Sequence, residues 1–191
     1  MKYLPNAITI IRILITPVVL LLLLKGTTAS LMWAWVLFIA ASISDYLDGK
    51  LARTLEVPSR LGQFLDPLAD KVLVIGTFAV LAYRYPHLIP WWVVAVIALR
   101  DVGVTWLRTA MESRGRSLKT LRVAKTKTAV QLIFLLTTLT LLVVARLPGA
   151  IGSAGAEFLR TSVLYVLAAI VAVFTAGTGI VYLFSSDRKP A

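Results

Sequence analysis

Six long apolar stretches constrain this 191-residue sequence more than any other feature, at roughly 5–25, 29–50, 62–84, 88–111, 124–146 and 157–184. Between Arg160 and Asp187 run 26 uncharged residues, and between Lys25 and Asp45 run 19. Crossing a bilayer's hydrocarbon core takes about 20 mostly apolar residues per helix. Inside it each backbone N–H and C=O must find a partner within the segment, so stretches of this length are expected as helices. Breakers separate them: Gly26 with Thr27 and Thr28, Pro58, Pro86 with Pro90, and Pro148 with Gly149. The expected fold is all-α, a polytopic integral membrane protein of six transmembrane helices forming a single domain over residues 1–191. Composition agrees, with 59% apolar and 15% charged residues against about 45–50% and 25% in soluble chains. Disorder is excluded by the same figures, and the absence of Cys excludes disulfides and thiolate metal sites.

Orientation follows from the placement of Lys and Arg. One side of the six-span arrangement carries 12 of them in its loops and termini, and the other carries only Lys25, Arg84, Arg146 and Arg160. Both termini and the basic loops are therefore expected in the cytoplasm of a bacterial-type inner membrane. Thr27-Thr28-Ala29 after the first apolar run invites a signal-peptide reading, but Arg12 within that run and Lys25 after it favour a retained helix. The net charge of +11 is assigned to the membrane surface and to phosphates, and nucleic acid is not an expected partner.

Four of the six Asp residues fall within 26 positions: Asp45, Asp48, Asp66 and Asp70. Ionisable groups within spans are costly and mark function by default. Asp45 and Asp48 are spaced i, i+3 and Asp66 and Asp70 i, i+4, so each pair shares a helix face. The short linker 50–61 would bring both pairs to one depth near the cytoplasmic interface. Clustered carboxylates repel strongly in a low dielectric. A hard divalent cation with oxygen ligands, Mg²⁺ or Mn²⁺, suits such a donor set, which has no His or Cys nearby, and four Asp suffice for two ions. Ion pairing with Lys50, Arg53 and Lys71 is the plainer alternative. Gly49, Ala52 and Gly62 lie on the same rims, where small residues admit either a phosphorylated group or a packed helix.

The stretch Asp45-Tyr46-Leu47-Asp48-Gly49-Lys50-Leu51-Ala52-Arg53, then eight residues, then Gly62-Gln63-Phe64-Leu65-Asp66-Pro67-Leu68-Ala69-Asp70 resembles the signature of the CDP-alcohol phosphotransferase family. That signature reads D-x-x-D-G-x-x-A-R, eight residues, G-x-x-x-D-x-x-x-D, and all eight fixed positions match. The resemblance implies a six-helix membrane enzyme in which an alcohol displaces CMP from a CDP-linked lipid with divalent metal. It implies Asp45, Asp48, Asp66 and Asp70 as metal ligands, with Asp70 also the general base. It further implies that Gly49, Ala52, Arg53, Gly62 and Asp66 line the CDP-lipid site.

Arg100 sits deep in an apolar segment with Asp101 beside it, and Arg108 lies two turns further toward the cytoplasm. The loop that follows carries Arg114, Arg116, Lys119, Arg122, Lys125 and Lys127. Anchoring to anionic lipid accounts for the outer members of this group. It serves Arg100 poorly, whereas a phosphorylated acceptor needs such cations. The acceptor-phosphate candidates are accordingly Arg100, Arg108, Lys125 and Lys127.

The opening Leu4-Pro5-Asn6-Ala7-Ile8-Thr9-Ile10-Ile11-Arg12, the stretch from Arg60 to Lys71, and the later pieces Arg100-Asp101 with Arg108, Lys125–Thr128 with Gln131, and Thr178-Gly179 with Tyr182 are similar to the bacterial phosphatidylglycerophosphate synthase branch of the family. That implies CDP-diacylglycerol and sn-glycerol 3-phosphate as substrates, with Asn6, Thr9 and Arg12 near the nucleotide. The branch usually has Arg-Glu where this chain has Arg100-Asp101. Inositol phosphate or serine as acceptor, a divalent-cation transporter and a basic scaffold are the competing readings. A homodimer embedded among membrane lipids is the assembly to test. His87 reads as a loop residue, Trp91, Trp92, Tyr83 and Tyr85 as an interfacial aromatic belt, and Pro17 and Pro67 as helix kinks.

Overall fold

The computed structural model describes residues 4–55, 60–112 and 122–186, with side chains described at 11–44, 71–107, 109, 111 and 126–180. Among these residues there are seven helices and no strand: α1 (Leu4–Lys25), α2 (Thr28–Leu55), α3 (Arg60–Arg84), α4 (Trp91–Glu112), α5 (Arg122–Val144), α6 (Ala150–Arg160) and α7 (Val163–Ser186). The six long ones have 22 to 28 residues, and α1 and α3 continue through Pro17 and Pro67.

Packing closes these six into a ring in the order α1, α2, α5, α7, α4, α3 and back to α1, with α3 also touching α5 across the middle. Leu23, Leu31, Phe38, Phe78, Leu81, Ile97, Leu135 and Leu139 fill the interior. Phe78 of α3 stacks on Phe134 of α5 with ring centroids 5.8 Å apart. Between α2 and α5, Trp35 Nε1 donates to Thr140 Oγ1 at 2.9 Å.

Tight turns set the ring's connections. Thr27 caps α2, its Oγ1 accepting from the Ser30 amide at 3.2 Å. Gly26 holds φ +66°, and a Cβ there would lie 1.9 Å from Arg84 Nη2. Glycine at this position lets Arg84 reach across and donate to the Leu24 carbonyl at 2.9 Å, satisfying an orphan at the end of α1. In the next turn Leu88 and Ile89 are buried, while His87 is exposed, as a loop residue should be. Tyr83, Trp91 and Trp92 are exposed around the same end.

The sequence-based expectation of a last span from 157 to 184 is corrected. Residues 150–160 form the separate helix α6, a break follows at Thr161 and Ser162, and α7 starts at Val163. The cause is local. Gly149, at the N-cap of α6, adopts φ +83°, a left-handed conformation that breaks the chain from α5 before the new helix starts. Gly152 and Gly155 then let α6 lie against the end of α5, since a Cβ on either would press on Leu147 or on Val144 and Ala145.

The surface reverses the pattern of a water-soluble protein. Leu14, Leu21, Trp33, Leu99, Trp106, Ile133 and Val173 face outward, while Thr77, Gln131, Thr138, Thr175 and Thr178 are buried. Apolar patches of this extent do not belong in water. Three of the inward threonines donate within their own helices: Thr77 Oγ1 to Leu73 O at 2.7 Å, Thr138 Oγ1 to Phe134 O at 2.9 Å and Thr178 Oγ1 to Thr175 O at 2.7 Å. Among the described residues Thr126–Val144 and Val163–Ile180 are each long and apolar enough to cross a membrane, and Thr28–Ser44 is a shorter apolar stretch.

Candidate active site

Three buried charges meet where α4, α5 and α7 pack together. Asp101 is 3% exposed and Lys127, in the second turn of α5, is 7% exposed. Lys127 Nζ and Arg100 Nη1 both donate to the same carboxylate oxygen, Asp101 Oδ1, the latter at 3.2 Å. The Arg100 side chain is 9% exposed, and its Nε and Nη2 have no hydrogen-bond partner among the described residues. Its stem crosses α7 at Gly179, where a Cβ would stand 2.9 Å from Arg100 Cγ.

The next turn of α5 adds Gln131, which is fully buried. Its Nε2 donates to Thr175 Oγ1 of α7 at 3.2 Å, and its Oε1 has no partner among the described residues. Thr178 Oγ1 donates to the Thr175 carbonyl at 2.7 Å. A polar seam thus runs between α5 and α7 beneath the charged cluster. Beside it, a groove of about 370 Å³ opens between α4 and α7, lined by Leu99, Gly103, Trp106, Ala176 and Gly179, with Arg100 as its one charged wall.

The other candidates are located by their helices. Arg12 is 2% exposed on α1, where Thr16 Oγ1 donates to its carbonyl at 2.8 Å. Asn6 and Thr9 also lie on α1, Asp45, Asp48, Gly49, Ala52 and Arg53 on α2, Gly62, Asp66 and Asp70 on α3, Arg108 on α4 and Lys125 on α5. The side chains of these twelve residues lie outside the described ones. Only residues 56–59 separate α2 from α3, so the four Asp positions belong to the same end of the bundle, the end at which α5 begins. Among the described residues no three His, Asp or Glu gather as a metal site, and the four-Asp candidate falls outside them.

Of the expected phosphate-binding set, the structure brings Arg100 and Lys127 together. It does so through Asp101, which the set omitted. Gln131, named above only as part of the resemblance, and Thr175, not named at all, were also left out of the set, although a buried amide in a membrane span is itself a signal of function or helix contact.

The CDP-alcohol phosphatidyltransferase family matches residues 2–181. A Mycobacterium tuberculosis protein named "Probable phosphatidylglycerophosphate synthase" is 41% identical over 115 residues, 59% of this chain and 54% of that protein. Two proteins named CDP-diacylglycerol–glycerol-3-phosphate 3-phosphatidyltransferase are also similar. That of Bacillus subtilis is 34% identical over 142 residues, 68% of this chain and 72% of that protein. That of Escherichia coli is 32% identical over 136 residues, covering 69% and 73%. The chain thus spans little more than half the length of the mycobacterial relative and about seven-tenths of the other two. With residues 2–181 matched and all eight fixed signature positions inside that range, the chain belongs to the CDP-alcohol phosphatidyltransferase family.

Proposed function

We propose that this chain, as a single six-span domain in a bacterial-type inner membrane, transfers the phosphatidyl group of CDP-diacylglycerol to sn-glycerol 3-phosphate, yielding phosphatidylglycerophosphate and CMP. The names of the relatives support the substrates. The observation that carries the acceptor is Arg100, a buried guanidinium with two donors unmatched among the described residues, fixed beside Lys127. Among the described residues one carboxylate serves both cations here, and a phosphate monoester would complement the unmatched edge of Arg100.

In the proposed reaction Asp70 accepts the proton of the acceptor hydroxyl. The freed oxygen attacks the lipid-linked phosphorus, and the bond to CMP breaks with its electron pair leaving on the nucleotide. Position matters more than basicity for Asp70, because a general base must first lie within hydrogen-bond reach. Asp45, Asp48, Asp66 and Asp70 form an all-oxygen donor set suited to Mg²⁺ or Mn²⁺, which when bound would neutralise the diphosphate and steady the charge that develops during displacement. Gly49, Ala52, Arg53 and Gly62, with Asn6, Thr9 and Arg12, are proposed to line the CDP-lipid site. Arg100, Lys127, Arg108 and Lys125 are proposed to hold the acceptor phosphate.

The test is CMP release by purified protein from CDP-diacylglycerol with glycerol 3-phosphate, inositol phosphate or serine, before and after chelation and Mn²⁺ return. Release that requires glycerol 3-phosphate and returns with the metal supports the reading. Release with another acceptor alone replaces the acceptor, and metal uptake without CMP release favours the transporter.

A further inference from the structure

A guanidinium presents oxyanions with two-donor edges, one of them formed by Nε and Nη2. In Arg100 this edge is the part without a partner among the described residues, while Nη1 is tied to Asp101 Oδ1. The same oxygen also receives Lys127 Nζ. One carboxylate therefore fixes two cations from two helices, and the Nε–Nη2 edge of one of them is left unmatched among the described residues. No other acid can substitute from these helices: α5 and α7 contain none, and α4 has only Glu112, at its last position. Removing the Asp101 charge would take from both cations the carboxylate they share, a loss that low-dielectric surroundings penalise heavily. Gly179 completes the device by leaving room for the Arg100 stem.

We propose that Asp101 is a positioning residue for acceptor binding: it holds Arg100 by one nitrogen and Lys127 by its ammonium so that the Nε–Nη2 edge of Arg100 stays open to a phosphate monoester. This rests on the acceptor reading given above. Asp101 would touch no substrate, and it would act on one substrate and not the other.

The experiment measures KM for glycerol 3-phosphate and for CDP-diacylglycerol separately in wild type, Asp101→Asn and Asp101→Glu, with thermal stability in detergent alongside. Asp101→Asn is expected to raise KM for glycerol 3-phosphate by about tenfold or more while KM for CDP-diacylglycerol stays within roughly twofold, and Asp101→Glu is expected to recover most of the loss. Equal changes in both KM values, or no change in either with stability intact, would overturn the proposal. Should Asp101→Asn not fold, the charge-balanced pair Lys127→Met/Asp101→Asn is compared with Lys127→Met alone. A further rise in the acceptor KM supports the proposal, and equal KM values overturn it. Wild-type protein that uses a different phosphorylated acceptor defeats the acceptor reading but not the role of Asp101, which is then read on that acceptor's KM. Wild-type activity on glycerol 3-phosphate with an unchanged Asp101→Asn ratio defeats the role of Asp101 alone.

Discussion

Arg100 and Asp101 adjoin in sequence, yet consecutive residues of an α-helix project about 100° apart. Arg100 accordingly crosses to Gly179 of α7 while Asp101 meets Lys127 of α5. The cost of burying Arg100 was legible in the sequence, because a lone cation in an apolar segment is too expensive to serve as an anchor. Its geometry was not legible. The Asp101–Lys127 pair joins positions 26 residues apart on different helices, and the Gln131–Thr175 bond joins positions 44 apart. Spacing within a helix says nothing about such pairs. Gly179 offers a direct probe, since a Cβ would lie 2.9 Å from the Arg100 stem. Gly179→Ala is expected to displace Arg100, to raise KM for glycerol 3-phosphate several-fold, on the order of 1 kcal/mol, and to lower thermal stability as the Arg100 stem gives way. Steady-state kinetics and a melting curve check both halves of that expectation.

Apolar runs read well as helices when they are long and unbroken, and the first five expected stretches agree with α1 to α5 to within a few residues, α2 running five residues past its expected end. The failure at α6 has a physical cause. Its 11 residues include Glu157 and Arg160 and only a narrow apolar stripe, so the apolar count alone merged its end with α7. Glycine carries the missing information there, through the positive φ of Gly149 and the close approach at Gly152. Among the described residues few side-chain hydrogen bonds join one helix to another, which makes the Trp35–Thr140 bond informative. Thr140→Val keeps the shape and removes the acceptor. It is expected to destabilise the bundle by about 0.5–1.5 kcal/mol, measured by denaturation in detergent, with the catalytic constants unchanged.

Across the whole molecule, the ring of six long helices leaves an apolar exterior and gathers polar groups inside, a form suited to a lipid surround. The proposed topology sets α6 outside and the 113–121 connection in the cytoplasm. The absence of Cys makes this directly measurable. In intact spheroplasts, a membrane-impermeant maleimide is expected to label Ser153→Cys and to spare Ser117→Cys until the membrane is opened; the opposite pattern would invert the topology. The central claim concerns chemistry and calls for a product measurement. Purified protein given CDP-diacylglycerol, divalent cation and labelled sn-glycerol 3-phosphate is predicted to move label into a lipid identified by mass as phosphatidylglycerophosphate, with one CMP released per lipid formed. CMP released without label in lipid, or no CMP at all, would contradict it.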